Sequence, residues 1–196
     1  MKALEGRYPR TVEIARGEVS LSLMSRDDES EMQAFAEALP VHDLLFLRRN
    51  ITHPKVLAAW SAEIEAGSIV SLIAREAGSI IGCSAVVRDE LSFSPHVGEL
   101  RVLVSPQGRD RGLGRILIQE SFLIALTLGL EKLTAQMTVD QKSAIAVFEE
   151  MGFVAEALLK GQVRDQQGTR HDIVVLSHDV ERFQSQMEAY GLTELL

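Results

Sequence analysis

The chain has 196 residues, 46% of them hydrophobic, and a formal net charge of −8. That length points to one domain spanning 1–196, with enough apolar residues for a substantial core, and the acidic balance argues against a nucleic-acid partner. The most apolar segment, residues 122–130, is too short for a bilayer that needs roughly 20 residues, and no apolar leader opens the chain, so the expectation is a soluble cytoplasmic protein without a membrane partner.

Residues 1–11 are polar, with Gly6 and Pro9, and read as a flexible N-terminal arm. Val12–Ala15 and Val19–Met24 flank Arg16-Gly17-Glu18 and read as a hairpin. Asp27 or Asp28 caps a helix carrying Met32, Phe35, Ala36 and Leu39 at three- and four-residue spacing, and Pro40 stops it. Leu44, Leu45 and Leu47 suggest a short helix within 41–50. Thr52-His53-Pro54 opens a further helix, with Val56, Leu57, Trp60 and Ile64 on one face. Ile69–Ala74 and Ile80–Val87 then form a hairpin around a Gly78 turn, followed by a strand at Val97–Val104. The pattern continues as a helix over 112–128, a strand at Lys132–Val139, a short helix at Ser143–Met151 and a hairpin of 153–164 with 171–179. Val180–Tyr190 predicts a terminal helix, so that 180–196 forms a C-terminal helical extension. The hairpins make a mixed α/β (α+β) sheet mostly antiparallel, while the crossover from Val97 to Val139 makes its centre parallel.

The densest chemical signal lies between the strand ending at Val104 and the helix after Gly112. Gln107-Gly108-Arg109-Asp110-Arg111-Gly112-Leu113-Gly114 places three glycines and two arginines at a helix N-terminus. The first-turn N–H groups of a helix lack intrahelical partners, and the helix dipole adds positive character there. Glycines let a ligand approach the backbone and arginines suit phosphate, so the junction reads as a pyrophosphate cradle. The plainer reading is a strand-to-helix turn with solvated arginines. Neither the Walker ending nor the dinucleotide Gly-x-Gly-x-x-Gly spacing is present.

On Arg109, Gly112 and Gly114 this run resembles the acyl-CoA-binding pattern of the GNAT acyltransferases, Gln/Arg-x-x-Gly-x-Gly/Ala. Downstream, Ala144-Ile145-Ala146-Val147-Phe148-Glu149-Glu150-Met151-Gly152-Phe153 is similar to that family's AI-x-LYE-x-x-GF segment. The element order from about residue 19 to 179 is similar as well. The resemblance implies a splayed parallel strand pair, 97–104 and 132–139, with the pantetheine arm of acetyl-CoA between them along Val102, Leu103 and Val104. It implies a pyrophosphate held at Arg109, Asp110, Arg111, Gly112, Leu113 and Gly114, and no metal. Gln141 stands where many members have asparagine, and Phe148 where many have the tyrosine that protonates the leaving thiolate; both then belong to the acyl-CoA site. A homodimer is an arrangement the resemblance allows.

Glu99 is the candidate base. Alternation puts it on one strand face with Arg101 and Leu103, and Leu100, Val102 and Val104 on the other. A lysine amine with a pKa of ~10.4 costs roughly 4–5 kcal/mol to deprotonate at neutral pH, so a positioned carboxylate is useful. The resemblance is strongest here to the bacterial protein-lysine acetyltransferase branch, where an early-strand glutamate has that role. The plainer reading pairs Glu99 with Arg101 or a cross-strand cation. The expected activity is acetyl transfer from acetyl-CoA to a small amine, an amino acid or a protein lysine; the alternative is an acyl-CoA-binding regulatory module without turnover. Acidity extending into the acceptor cleft would favour cationic acceptors. Cys83, the single cysteine, sits in an apolar strand and reads as an inert buried thiol, and the five histidines show no metal spacing.

Overall fold

The computed structural model describes residues 2–180. It comprises α1 (Lys2–Arg7), β1 (Arg10–Ile14), β2 (Gly17–Leu23), α2 (Glu29–Ala38), α3 (Pro54–Glu65), β3 (Ile69–Glu76), β4 (Ser79–Val87), β5 (Val97–Val104), α4 (Leu113–Thr127), β6 (Lys132–Thr138), α5 (Lys142–Glu150), β7 (Val154–Arg164) and β8 (Arg170–Asp179). The strands form one sheet in the order β1-β2-β3-β4-β5-β6-β8-β7. Neighbouring strands are antiparallel except β5 and β6, which run parallel, as the crossover predicts.

Helices cover both faces of the sheet. Leu113, Leu117, Phe122 and Phe148 of α4 and α5 meet Leu72, Leu100 and Leu133 in one core. Met32, Phe35, Leu57 and Trp60 of α2 and α3 meet Ile73, Cys83 and Leu103 in the other. The period-two alternation sends Leu72 one way and Ile73 the other. Coverage on both faces explains why β3 and β4 read as nearly continuous apolar runs. Where polar side chains enter these layers they are paired: Trp60 Nε1 donates to Ser71 Oγ at 2.9 Å, and Ser121 Oγ donates to the Leu117 carbonyl at 2.7 Å.

Two expectations are corrected. Residues 2–11 do not trail as an arm: α1 and the start of β1 occupy them, with Leu4 and Tyr8 buried in the core under α4. Apolar Leu4 and Tyr8 sit among polar neighbours, which hid them in a composition reading. Residues 41–50 form no α-helix but a 3₁₀ turn, Val41–Leu44, followed by turns and bends. The expected C-terminal helical extension beyond Val180 lies outside the described residues.

Glu120 explains how the N-terminal segment is held. It is the one charged position on the buried side of α4, 6% exposed. Tyr8 donates its hydroxyl to Glu120 Oε2 at 2.6 Å, Arg7 Nε donates to the same oxygen at 3.0 Å, and Arg10 Nη1 donates to Oε1 at 3.1 Å. Burial and the bond to Glu120 push the Tyr8 phenol well above its ordinary pKa. A carboxylate inside an apolar layer is tolerable only with such partners. Replacing Glu120 with Ala strands two guanidinium groups and a phenol, and should cost about 3 kcal/mol, read as a lower urea midpoint at unchanged m-value. Burial likewise pushes the Cys83 thiol up to about 12. The native protein should therefore resist iodoacetamide at pH 8 and react only on unfolding; fast native labelling would contradict that burial.

Candidate active site

The parallel ladder between β5 and β6 is short. It runs from Val97 opposite Lys132 to Leu100 opposite Ala135 and stops. Beyond that point β5 continues to Val104 paired only with β4, and β6 continues to Thr138 paired only with β8. The facing edges, Arg101–Val104 and Gln136–Thr138, open as a V. A strand edge inside a sheet, bare of its ladder, is a docking edge for an extended ligand with amide groups.

At the mouth of the V the chain turns through a 3₁₀ turn, Pro106–Gly108, into α4. Gly108 packs tightly: a Cβ there would stand 3.0 Å from the Ile81 carbonyl and from Val104. Its role is close approach rather than a special dihedral. Gly112 caps α4 at φ +82°, a left-handed conformation that favours glycine, and its Cβ direction is open. The main-chain N–H groups from Arg109 through Arg115 make no hydrogen bond among the described residues, and the first such bond of the helix is Ile116 N–H to the Gly112 carbonyl. Those of Leu113, Gly114 and Arg115 are the free donors of the first turn. Free first-turn donors of this kind suit an anion.

The two arginines of the loop have different jobs. Arg111 spends all its guanidinium donors on the protein: on the Ala15, Arg16 and Gln107 carbonyls at 3.0, 3.1 and 3.3 Å, and on Glu76 Oε2 and Oε1 at 2.9 and 2.5 Å. Ala15 N–H answers by donating to the Arg111 carbonyl at 3.0 Å. Arg111 thus clamps the β1–β2 turn and the end of β3 onto the loop, and its guanidinium keeps no free donor, so that only its main-chain N–H is left unpaired among the described residues. Arg109 stays at the site: its Nε donates to the Val104 carbonyl at 3.3 Å and its Nη2 to Asp43 of the 3₁₀ turn 41–44. Asp110, at φ +55°, exposes its side chain, and Leu113 is fully buried, so both offer the site only their N–H groups.

Gln141 precedes α5 and accepts the Thr138 N–H on Oε1 at 3.1 Å, which leaves its amide nitrogen as a donor beside the open end of β6. Phe148 is core, edge-on to Phe153 at 4.9 Å between ring centroids. Val102 and Val104 are half-buried toward α4, whereas Leu103 is buried toward α3. Ser105, at the end of β5, was not singled out by its sequence: its Oγ is buried and has no hydrogen-bond partner among the described residues. A buried hydroxyl without a partner beside a free-amide loop is a place for a ligand atom.

Glu99 lies on the α3 side with Arg101, as the alternation predicts. Its Oε1 accepts from Arg101 Nε at 2.8 Å, and Arg48 Nη2 stands 3.6 Å from Oε2. The plainer reading of the sequence, a paired carboxylate, is therefore present. It does not bar a proton-transfer role, since a carboxylate has more acceptor positions than one bond fills. A cavity of about 180 Å³ opens beside this pair, lined by Arg48, Arg49 and Arg101 among others. The histidines also depart from their spacing. His42 Nε2 meets Asp140 at 2.8 Å, and His42, Asp140 and His171 offer ligand atoms within 4.8 Å of one another, an arrangement that could hold a cation. Each already has a protein partner: the hydrogen bond from Thr138 and then His42 hold the Asp140 carboxyl below its usual range, and His171 bonds Asp165 at 2.9 Å.

A family profile described as Acetyltransferase (GNAT) family matches residues 32–153. YwnH of Bacillus subtilis (strain 168), provisionally named a phosphinothricin acetyltransferase, is 29% identical over 82 residues. The match takes in 42% of this chain and 50% of that protein, so the chain spans half the length of this curated relative. Among solved structures, an N-acetyltransferase from Staphylococcus aureus Mu50 superposes with a TM-score of 0.73 at 14% identity, covering 84% of this chain and 99% of the other. A spermidine N-acetyltransferase from Vibrio cholerae, in complex with CoA and spermine, does so at 0.71 and 17%, covering 85% and 98%. At those identities the likeness is one of fold.

The split between the arginines is testable by stability. Arg111→Gln should lower the thermal midpoint by several degrees, and Arg109→Gln should leave it nearly unchanged. Arg111 holds the Glu76 carboxyl below its usual range. A lowered carboxyl pKa contributes stability above the ordinary glutamate range and loses it as pH falls through the lowered value. The gap between wild type and Arg111→Gln should thus be full at pH 7 and narrow by pH 3, as scanning calorimetry would record.

Proposed function

The chain belongs to the GNAT acetyltransferase family, and from that footing we propose that it is an acetyl-CoA-dependent N-acetyltransferase acting on a primary amine. The observation that carries this reading is the run of free N–H groups from Arg109 to Arg115 at the mouth of the β5–β6 opening. A pyrophosphate needs several donors at once, and Arg109 adds a cation once its guanidinium turns from Asp43. The bare edge of Arg101–Val104 and the free amide nitrogen of Gln141 suit the amides of a pantetheine arm. Bound there, acetyl-CoA supplies the acetyl group already activated as a thioester.

The chain's own part is to place an amine and take its proton. Glu99 is the base in this reading: it is 14% exposed and sits on the strand next to the opening. Its bond from Arg101 fixes the carboxylate in place, so that Oε2 remains for the amine or one bridging water. No cysteine route competes, because Cys83 is buried and its thiol is held protonated. A tyrosine acid is likewise missing at the usual position. Phe148 cannot donate, and Tyr8 is committed to Glu120 beneath α4. The thiol's ordinary pKa of ~8–9 makes the thiolate a tolerable leaving group, with water supplying the proton.

Glu99→Gln should cut kcat/KM for the amine by about 10²–10⁴ and leave CoA binding intact by calorimetry. Unchanged turnover at pH 7 would remove Glu99 as the base. Arg109→Gln should weaken CoA about tenfold, in line with the loss of one charge-assisted hydrogen bond. The reading of the chain as a binding module without turnover predicts tight CoA binding with no thiol released from acetyl-CoA by any amine.

A further inference from the structure

The cavity beside Glu99 has a charge pattern that the chain's acidic balance does not suggest. Arg48 and Arg49 come from the bends after residue 44, and Arg101 from β5; all three line the cavity. Ile51, Trp60 and Ile69 line it as well. The counter-charges are Glu99 and Glu63, so the arginines outnumber them. The pairings are also loose: Arg48 to Glu99 is 3.6 Å and Arg49 to Glu63 is 3.8 Å, beyond hydrogen-bond length, with both arginine side chains mostly exposed.

Arg101 is the informative residue. Its side chain is 23% exposed. Only its Nε is used, on Glu99 at 2.8 Å, and its two terminal nitrogens have no partner among the described residues. A half-buried guanidinium with a free planar fork at a cavity wall suits a bidentate oxyanion. The carboxylate of Glu99 lies directly beside that fork. Together they present an ammonium-binding group and a carboxylate-binding group at adjacent points, next to an apolar wall. This is the complement of one small zwitterion.

Resting on the acetyltransferase reading above, the geometry points to an acceptor that carries its own carboxylate: a small α-amino acid with an apolar side chain, its amine at Glu99, its carboxylate on Arg101 with Arg48 and Arg49, and its side chain against Trp60. A volume of about 180 Å³ is below the usual 300–1,000 Å³ of drug-sized sites and fits such a molecule. A polyamine or a lysine side chain would bring a further cation or a peptide backbone to three arginines, which repel the first and gain little from the second.

The test compares each acid with its own amide: L-methionine, L-leucine and L-phenylalanine against their carboxamides, with spermidine and a lysine peptide, in a thiol-release assay with acetyl-CoA. The acids should exceed their amides by at least tenfold in kcat/KM. Arg49→Gln should raise KM for the acids by about tenfold or more, while kcat and the amides change less than twofold. Amides equal to acids, or preference for spermidine or the peptide, would overturn the inference and leave the acetyltransferase reading standing. A second measurement needs no turnover: calorimetric titration of N-acetyl-L-methionine into the CoA-loaded protein. Binding there that Arg49→Gln weakens, with no amine turned over, would keep the carboxylate-binding part of the site and sink the enzyme reading. No binding and no acid turnover would sink the site.

Discussion

The β5–β6 ladder ends after Leu100 and Ala135, and the rest of the site follows from that ending. Buried backbone groups must find partners, so two central strands separate only if something else will use their edges. Each strand is secured on its far side, β5 by β4 and β6 by β8, so the opening costs the sheet no integrity. The helices α4 and α5, packed beneath, hold the two arms of the V apart through their own core. The opening is thus built into the fold, between two strands each paired on its other side.

Charge around that opening is arranged locally and against the global balance. The chain is acidic, yet arginines gather at the loop before α4 and at the cavity next to the Glu99–Arg101 pair. One of them is consumed as a structural clamp, a second is held by an internal carboxylate beside the loop, and three more line the cavity next to the Glu99–Arg101 pair. Net charge governs long-range encounter, while recognition depends on which guanidinium groups keep free donors. A count of acidic and basic residues cannot distinguish these cases.

Much of the fold was legible because it rests on local pattern. Period-two runs marked the strands, Pro40 marked the end of a helix, and the crossover rule made the central pair parallel. The face shared by Glu99 and Arg101 could be read for the same reason. What escaped depends on distant partners. Arg109 and Arg111 look equivalent in a line of letters, but the left-handed turns at Asp110 and Gly112 send their side chains to Asp43 and to Glu76. His42 and His171 are far apart in the chain and adjacent in space. The anchoring of residues 2–10 was hidden too, although a trace of it was available: a glutamate in the middle of the apolar run of α4 calls for a buried partner.

That glutamate also ties together distant parts of the chain. Arg7, Tyr8 and Arg10 are 113, 112 and 110 positions from Glu120. Contacts over such a span carry a larger loop-closure cost than those within a hairpin. Residues 2–10 close over α4 as a clasp, and the helix they hold is the one whose first turn carries the free main-chain donors.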